Sequence, residues 1–268
     1  MNQLFGFIGT GNMGGALARA SAKAMPAENI LLSDAYAPVA EALAKELGCR
    51  STSVEEVAKT AGLIWLGVKP QVIGAMLAEI APLLKQRKDD FVLVSMAAGV
   101  SIGDIRRMAG KDYPVIRIMP NIPVKTGSGV ILYDATENVP AEAVEAFRAS
   151  MAQAGLVDPL PEHLIDAGSA LSGCGPAFVS LFAEALADGA VACGLPRAKA
   201  MAYAAQTLMG TAKLLLETGE HPGQLKDAVC SPGGTTIAGV MALEQGGFRA
   251  SAAEAVVSAY QRTLELGK

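Results

Sequence analysis

The chain is 268 residues long, 51% hydrophobic and 18% charged, with a formal net charge of −4 at pH 7. Such a length holds one large domain or two ordinary ones, and the apolar share is enough for a sizeable core. The acidic balance leaves no basic excess to meet phosphates, which argues against nucleic acid and anionic membrane surfaces as partners.

The first strand, Leu4-Phe5-Gly6-Phe7-Ile8, runs straight into Gly9-Thr10-Gly11-Asn12-Met13-Gly14 and a helix over 13–25. In G-x-G-x-x-G the first glycine permits a tight turn, the second admits a pyrophosphate, and the third lets the helix pack close to the strand. The helix N-terminus offers free N–H groups and a positive dipole end to the phosphates. Segment Ile8 to Gly14 is therefore expected to bind a dinucleotide, whose usual chemistry is hydride transfer. A second strand over 29–33 ends at Asp34, 20 residues after Gly14. A carboxylate there suits the ribose hydroxyls of NAD, and no Arg or Lys stands in 33–37 to favour NADP.

A helix over 38–47 is stopped by Gly48, and Ser53 with Glu56 spells a capping box before a short helix to Thr60. The apolar run 63–68 reads as a buried parallel strand, followed by a helix over 71–84 with Pro70 at its first turn. Strands over 91–95 and 113–119 flank a helix capped by Ser101 and Asp104, and this alternation predicts an open parallel sheet. A further strand over 127–134 and a helix over 141–154 precede a break at Asp158-Pro159-Leu160-Pro161. Ligands bind outside the carboxyl edge of such a sheet. That edge is marked by Val68-Lys69-Pro70-Gln71, Met96-Ala97-Ala98-Gly99 and Asn121, which either bonds the cofactor or orders a turn.

Beyond residue 162 no strand is expected. Helices over about 174–193, 197–218 and 248–266 are apolar nearly all round, as with Phe178, Leu181, Phe182, Leu186, Met201, Leu208, Leu214 and Leu215. Such helices must be buried, and a partner subunit is the natural cover. Between helices lies Cys230-Ser231-Pro232-Gly233-Gly234-Thr235-Thr236, where two glycines let successive N–H groups point into one concavity. Thr236 opens the next helix, so this loop suits a small carboxylate. Cys49, Cys174, Cys193 and Cys230 never stand in Cys-x-x-Cys spacing, and no metal site is expected. No signal-peptide pattern is read and no run approaches the ~20 apolar residues of a bilayer span, so a cytoplasmic setting is expected. His163 and His221 have no evident catalytic partners. A reductase acting on a protonated cyclic imine needs none, because that substrate is already electrophilic.

Taken together, these motifs resemble pyrroline-5-carboxylate reductases. The resemblance spans nearly the whole chain and includes Gly6 to Met13, Val68-Lys69-Pro70, Ala97-Ala98-Gly99, Met119-Pro120-Asn121 and Leu171-Ser172-Gly173-Cys174-Gly175-Pro176-Ala177. Its most specific part is His221-Pro222-Gly223-Gln224-Leu225-Lys226-Asp227 leading into Ser231 to Ile237. It implies an α/β fold, with an N-terminal Rossmann NAD(P)-binding domain over 1–158 and an all-helical substrate-binding and dimerisation domain over 159–268. It implies reduction of 1-pyrroline-5-carboxylate to L-proline by NADPH or NADH. It also implies an obligate homodimer, with higher rings such as decamers. Ser231, Gly233, Gly234, Thr235 and Thr236 correspond to the substrate carboxylate loop, and Glu162 to a glutamate near the ring nitrogen. Ala228 stands where the family often has Asn, and Cys174 where Ser is common. Two other readings are a β-hydroxyacid dehydrogenase of the 3-hydroxyisobutyrate type and a non-catalytic dinucleotide-binding scaffold. The first needs a lysine relay; Lys199 and Lys213 are available, but neither follows the expected glycine-rich helix context. The second has no use for a carboxylate loop.

Overall fold

The computed structural model describes residues 4–266. Contacts group the described residues into two compact units, one of residues 4–174 with 260–266, the other spanning Gly175–Ala259.

The first unit is built on one sheet. Its strands, in chain order, are β1 (Phe5–Ile8), β2 (Ile30–Ser33), β3 (Arg50–Ser51), β4 (Leu63–Leu66), β5 (Val92–Ser95), β6 (Val115–Pro120), β7 (Gly129–Ala135) and β8 (Gly155–Pro159). Their spatial order is β3-β2-β1-β4-β5-β6-β7-β8. The first six run parallel, but β7 is antiparallel to β6, and β8 is parallel to β7. The parallel order read for the earlier strands holds, and connection length explains why β7 departs from it. Only Asn121–Ser128, tightened by a 3-10 turn at Ile122–Thr126, joins β6 to β7. A parallel return needs a crossover of about a dozen residues or more. The β7–β8 link has room for one, the helix α6 (Ala141–Ser150).

Helices α1 (Asn12–Ala24), α2 (Ala37–Leu47) and α6 cover one face, and α3 (Val54–Thr60), α4 (Pro70–Gln86) and α5 (Ile102–Ala109) cover the other. Alternate strand residues feed the two cores: Phe7, Trp65, Val94 and Ile118 face one way, and Ile8, Ile64, Leu66 and Leu93 the other. Phe7 stacks on Trp65 at 5.0 Å, and Trp65 meets Phe147 of α6 at 5.6 Å. α6 stops at Ser150, short of the expected 154, because the chain must turn back to form β8. Residues 158–161, expected as a break, hold the end of β8.

The box at α5 is complete. Asp104 N–H donates to Ser101 Oγ at 3.0 Å, and Ser101 N–H donates to Asp104 Oδ2 at 3.2 Å. The Ser101 hydroxyl, donating to the same carboxylate, holds the Asp104 carboxyl below its ordinary range. Ser101→Ala is expected to lower stability by about 1 kcal/mol at neutral pH, measured by urea unfolding. A depressed carboxyl stabilises the fold above its unfolded pKa. The difference should therefore shrink as pH falls below about 4, where Asp104 takes up its proton.

Residues 162–172, where no helix was read, form α7 (Glu162–Ser172). Its Ile165 is buried against Met119 and Leu132, and a Cβ on Gly168 would strike the Leu132 side chain. α7 is thus part of the sheet unit. For that reason the first compact unit runs on to Cys174.

The second unit contains α8 (Gly175–Ala192), α9 (Arg197–Thr218), α10 (Pro222–Ala228), α11 (Thr235–Gln245) and the start of α12 (Phe248–Leu266). Small residues join α8 to α9 through Ala187, Ala200 and Ala204, and Phe182 meets Phe248 at 5.1 Å. By length and mean hydropathy (1.4), the run Glu162–Ala192 is apolar enough to cross a membrane. This differs from the sequence expectation. The run is however two helices, α7 and α8, broken at Gly173-Cys174.

Candidate functional site

The glycine-rich loop joins β1 to α1 as expected. Gly9 has φ +93°, and a Cβ there would lie 2.7 Å from the Gly67 carbonyl carbon. A Cβ on Gly14, or on Gly67 after β4, would come closer than 3.0 Å to the Gly9 carbonyl oxygen. These three glycines answer to the protein itself, since two loops and a helix meet there backbone to backbone. Gly11 is different: a Cβ on it would meet nothing within 4 Å. Nothing in the fold itself requires a glycine's bareness there. The first turn of α1 has no side-chain cap and no acidic residue, so its N–H groups are available to an anion. This is the cradle a pyrophosphate requires, and the residues fit a dinucleotide.

Thr10 is buried, and its fixed partner is Asp34. Asp34 Oδ2 accepts from Thr10 N–H at 2.7 Å and from the Thr10 hydroxyl at 3.1 Å, while Oδ1 accepts from Tyr36 N–H at 3.1 Å. The carboxylate therefore also latches the glycine loop to the end of β2. Beside it opens a cavity of about 760 Å³ whose lining includes Ile8, Gly9, Asp34, Val68 and Val72. Sequence reasoning missed one nearby pair. Arg19 on α1 grips Glu46 on α2 with two bonds, at 2.7 and 2.6 Å. The guanidinium pulls the Glu46 carboxyl below its ordinary range, and the carboxylate raises Arg19.

The carboxyl edges of β4, β5 and β6 carry the remaining expected contacts. Lys69, Gln71, Ala98 and Gly99 are exposed, and Val68, Pro70 and Met96 are half-buried. The side chains of Ile8 and Ala97 are spent in the core, so these two offer only backbone to a ligand. Asn121 is 6% exposed and orders a turn: it donates from Nδ2 to Ser172 O and accepts at Oδ1 from Val130 N–H, both at 2.9 Å.

Glu162 sits at the first turn of α7, whose N-terminus Asp134 caps by accepting from Glu162 N–H at 2.7 Å. Glu162 Oε1 accepts from Ile102 N–H at 2.7 Å, so it caps α5 in turn, and it lies 3.3 Å from Arg117 Nη1. Arg117 Nη2 pairs with Asp166 at 2.7 Å, and Arg117 Nε is buried with no partner. Glu162 was expected beside a substrate nitrogen. Its Oε1 accepts from Ile102 N–H of α5 and faces a guanidinium whose side chain is 5% exposed. The sequence signal was available in Arg117 itself, a lone cation inside the apolar strand Val115-Ile116-Arg117-Ile118-Met119. Its carboxylate partners, 45 and 49 residues away, were not readable.

In the second unit, His221 caps α10: Gly223 N–H donates to His221 Nδ1 at 3.1 Å, and His221 N–H donates to Gln224 Oε1 at 3.2 Å. The chain then turns through Ser231-Pro232-Gly233-Gly234. Gly233 has φ +68°, a conformation that side chains resist. Gly234 N–H donates to Ser231 O at 3.0 Å, and a Cβ on Gly234 would run into Ser231 Oγ. α11 opens at Thr235 with no side-chain cap, and Ser231, Thr235 and Thr236 are exposed around those free N–H groups. Among the described residues, no group of three or more His, Cys, Asp or Glu is placed to hold a metal ion.

Comparisons with known proteins bear on both halves. A family model described as pyrroline-5-carboxylate reductase dimerisation matches residues 162–266. One described as NADP oxidoreductase coenzyme F420-dependent matches residues 4–99. The chain is 42% identical to a pyrroline-5-carboxylate reductase of Synechocystis, with 100% of each chain covered. It is similar in structure to a pyrroline-5-carboxylate reductase from Coxiella burnetii (TM-score 0.91, 31% identity, 98% of each chain covered). It is also similar to a Plasmodium falciparum pyrroline carboxylate reductase solved with NADP bound (TM-score 0.86, 31% identity, 99% of this chain and 98% of that one).

Proposed function

The chain belongs to the pyrroline-5-carboxylate reductase family, and on that premise we propose how its residues reduce 1-pyrroline-5-carboxylate to L-proline with NADPH or NADH. The observation that carries the reading is the Ser231–Thr236 loop, which presents uncapped N–H groups and three exposed hydroxyls at the start of α11.

The backbone of Gly9 to Gly14 and the first turn of α1 hold the pyrophosphate, and Asp34 receives the adenosine ribose. Val68 to Gln71 and Met96 to Gly99 line the rest of the nucleotide, while Asn121 keeps the edge of β6 in shape. When bound, the reduced nicotinamide supplies the hydride. The substrate's carboxylate is taken by the N–H groups of α11 with the hydroxyls of Ser231, Thr235 and Thr236, while Gly233 and Gly234 allow close approach. Thr236 orients the ring. Once protonated on nitrogen, the imine accepts hydride at carbon without further activation, so holding the two reactants face to face is the main task of the protein. Glu162 approaches the ring nitrogen, and through Ile102 N–H it also keeps α5, and with it the preceding Met96–Gly99 loop, fixed against α7.

The helical unit buries few side chains among its described residues, and Leu181 and Leu216 are 68% and 86% exposed. We propose an obligate homodimer through these helices, which also accounts for the apolar run Glu162–Ala192 without a membrane. Sedimentation would read a dimer or a ring of dimers such as a decamer, and a monodisperse monomer would overturn this. The division into a cofactor-binding part to residue 158 and a substrate-binding, oligomerising part from 159 is kept as a functional one. The cytoplasm is the proposed setting, in keeping with four cysteines that are all unpaired.

The direct test follows reduced-nicotinamide absorbance with pyrroline-5-carboxylate. Oxidation is expected, and bound but unoxidised cofactor would overturn the reading. Thr236→Ala is expected to lower kcat/KM by the equivalent of about 1–2 kcal/mol, the worth of a hydrogen bond to a charged group. Unchanged kinetics would remove Thr236 from the site.

A further inference from the structure

The charges around the end of β2 bear on which dinucleotide this site takes, an inference that rests on the nucleotide reading above. The carboxylate of Asp34 is held in place by Thr10 and Tyr36. A carboxylate in that place hydrogen-bonds ribose hydroxyls, and a 2′-phosphate there would meet it charge to charge. The adjoining 760 Å³ cavity compounds this. Its charged lining residues are Asp34, Glu41, Glu55 and Glu79, with no Lys or Arg among the described residues that line it.

On the other flank of Thr10 and Tyr36 lies a depression of about 430 Å³ that does carry a cation, Arg19. It stands close to the glycine loop: a Cβ built on Gly15 would be 2.9 Å from Thr10 O and 3.3 Å from Arg19 Nη1. Arg19 is the group one would recruit to a 2′-phosphate. Its planar fork is already spent, because Nε and Nη2 each donate to an oxygen of Glu46. Such an exposed pair adds little to stability, but a two-pronged pair fixes direction.

We propose that this chain selects NADH over NADPH, with Asp34 the specificity-determining residue and Glu46 a positioning residue that keeps Arg19 from a 2′-phosphate. The site then holds a latent phosphate receptor that one substitution exposes.

The test measures kcat/KM for NADH and NADPH with the intact protein and pyrroline-5-carboxylate. Direct binding of each cofactor, by fluorescence titration, is measured alongside. The native protein is expected to favour NADH at least tenfold. Glu46→Ala should improve NADPH about five- to tenfold while leaving NADH within twofold, and adding Arg19→Ala should cancel that gain. Asp34→Ser should narrow the ratio from the other side. A native protein that uses both cofactors equally, or prefers NADPH, overturns the proposal. So does a ratio that Glu46→Ala leaves unmoved, since a merely structural pair would weaken both cofactors alike. If neither cofactor is oxidised, the reductase reading fails, and the two binding constants still decide this inference.

Discussion

Gly14→Ala is expected to abolish soluble folded protein or to lower stability by several kcal/mol, whereas Gly11→Ala is expected to leave the unfolding midpoint unchanged. Both residues belong to the same motif, but they meet different surroundings. A methyl on Gly14 is driven into the Gly9 carbonyl, and neither partner can yield: Gly9 is itself pressed against Gly67 with φ +93°. Relief would require parting β1, α1 and the loop after β4, which carry the stacked Phe7 and Trp65. Overpacking a well-filled site commonly costs 1–3 kcal/mol when side chains can adjust, and backbone that cannot adjust puts the cost above about that range. A methyl on Gly11 meets only open space, so its cost falls on the ligand. The KM for the dinucleotide should rise at least tenfold with little change in melting temperature. Thermal unfolding of the two variants, with cofactor titration of the second, checks the contrast. Equal destabilisation by both would show that the loop is strained as a whole.

Removing both Glu162 and Asp166 as alanines is expected to cost about 3 kcal/mol, because it strands the Arg117 guanidinium in a nearly dry site. The figure is set at the low end of the range for a stranded buried charge because the two carboxylates keep some water, at 31% and 27% exposure. Replacing Arg117 by Met in that same background should recover much of the loss, since an apolar chain of similar length needs no partner there. Chemical denaturation of the double and triple variants measures this, and a triple variant no more stable than the double would refute the account. Glu162→Gln separates position from chemistry. The amide oxygen can still accept from Ile102 N–H, so stability should hold and kcat/KM should fall less than tenfold. A larger fall with an intact melting temperature would show direct contact between Glu162 and substrate.

Much of this was legible in the residues because the requirements were local. A glycine turn, a serine cap on α5 and a run of buried strand residues each depend on neighbours a few positions away, and each stands where the pattern put it. The misreadings have a common cause. β8 is an edge strand that buries none of its five residues, so it lacks the apolar run that revealed the central strands. α7 mixes Gly168, Ser169 and Ser172 with its apolar residues, and it is helical because Asp134 caps it and the Met119–Leu132 surface receives Ile165. Asn121 was open to two readings in the sequence, and its amide is taken up on both sides by backbone that only the folded sheet brings near.

The sequence by itself determined the dinucleotide motif, the Rossmann-plus-helical fold class, the family and the glycine loop that we propose for the substrate's carboxylate. All of these rest on short-range backbone geometry or on motifs contiguous in the chain. Tertiary structure decided the rest: which glycines press against backbone and which face open space, that β7 turns antiparallel, that Glu162 is bound to Arg117, and that Arg19 is bound to Glu46. Those depend on pairs 27 and 45 residues apart and on the direction of a Cβ vector. Sequence spacing carries neither until sheet and helices close around them.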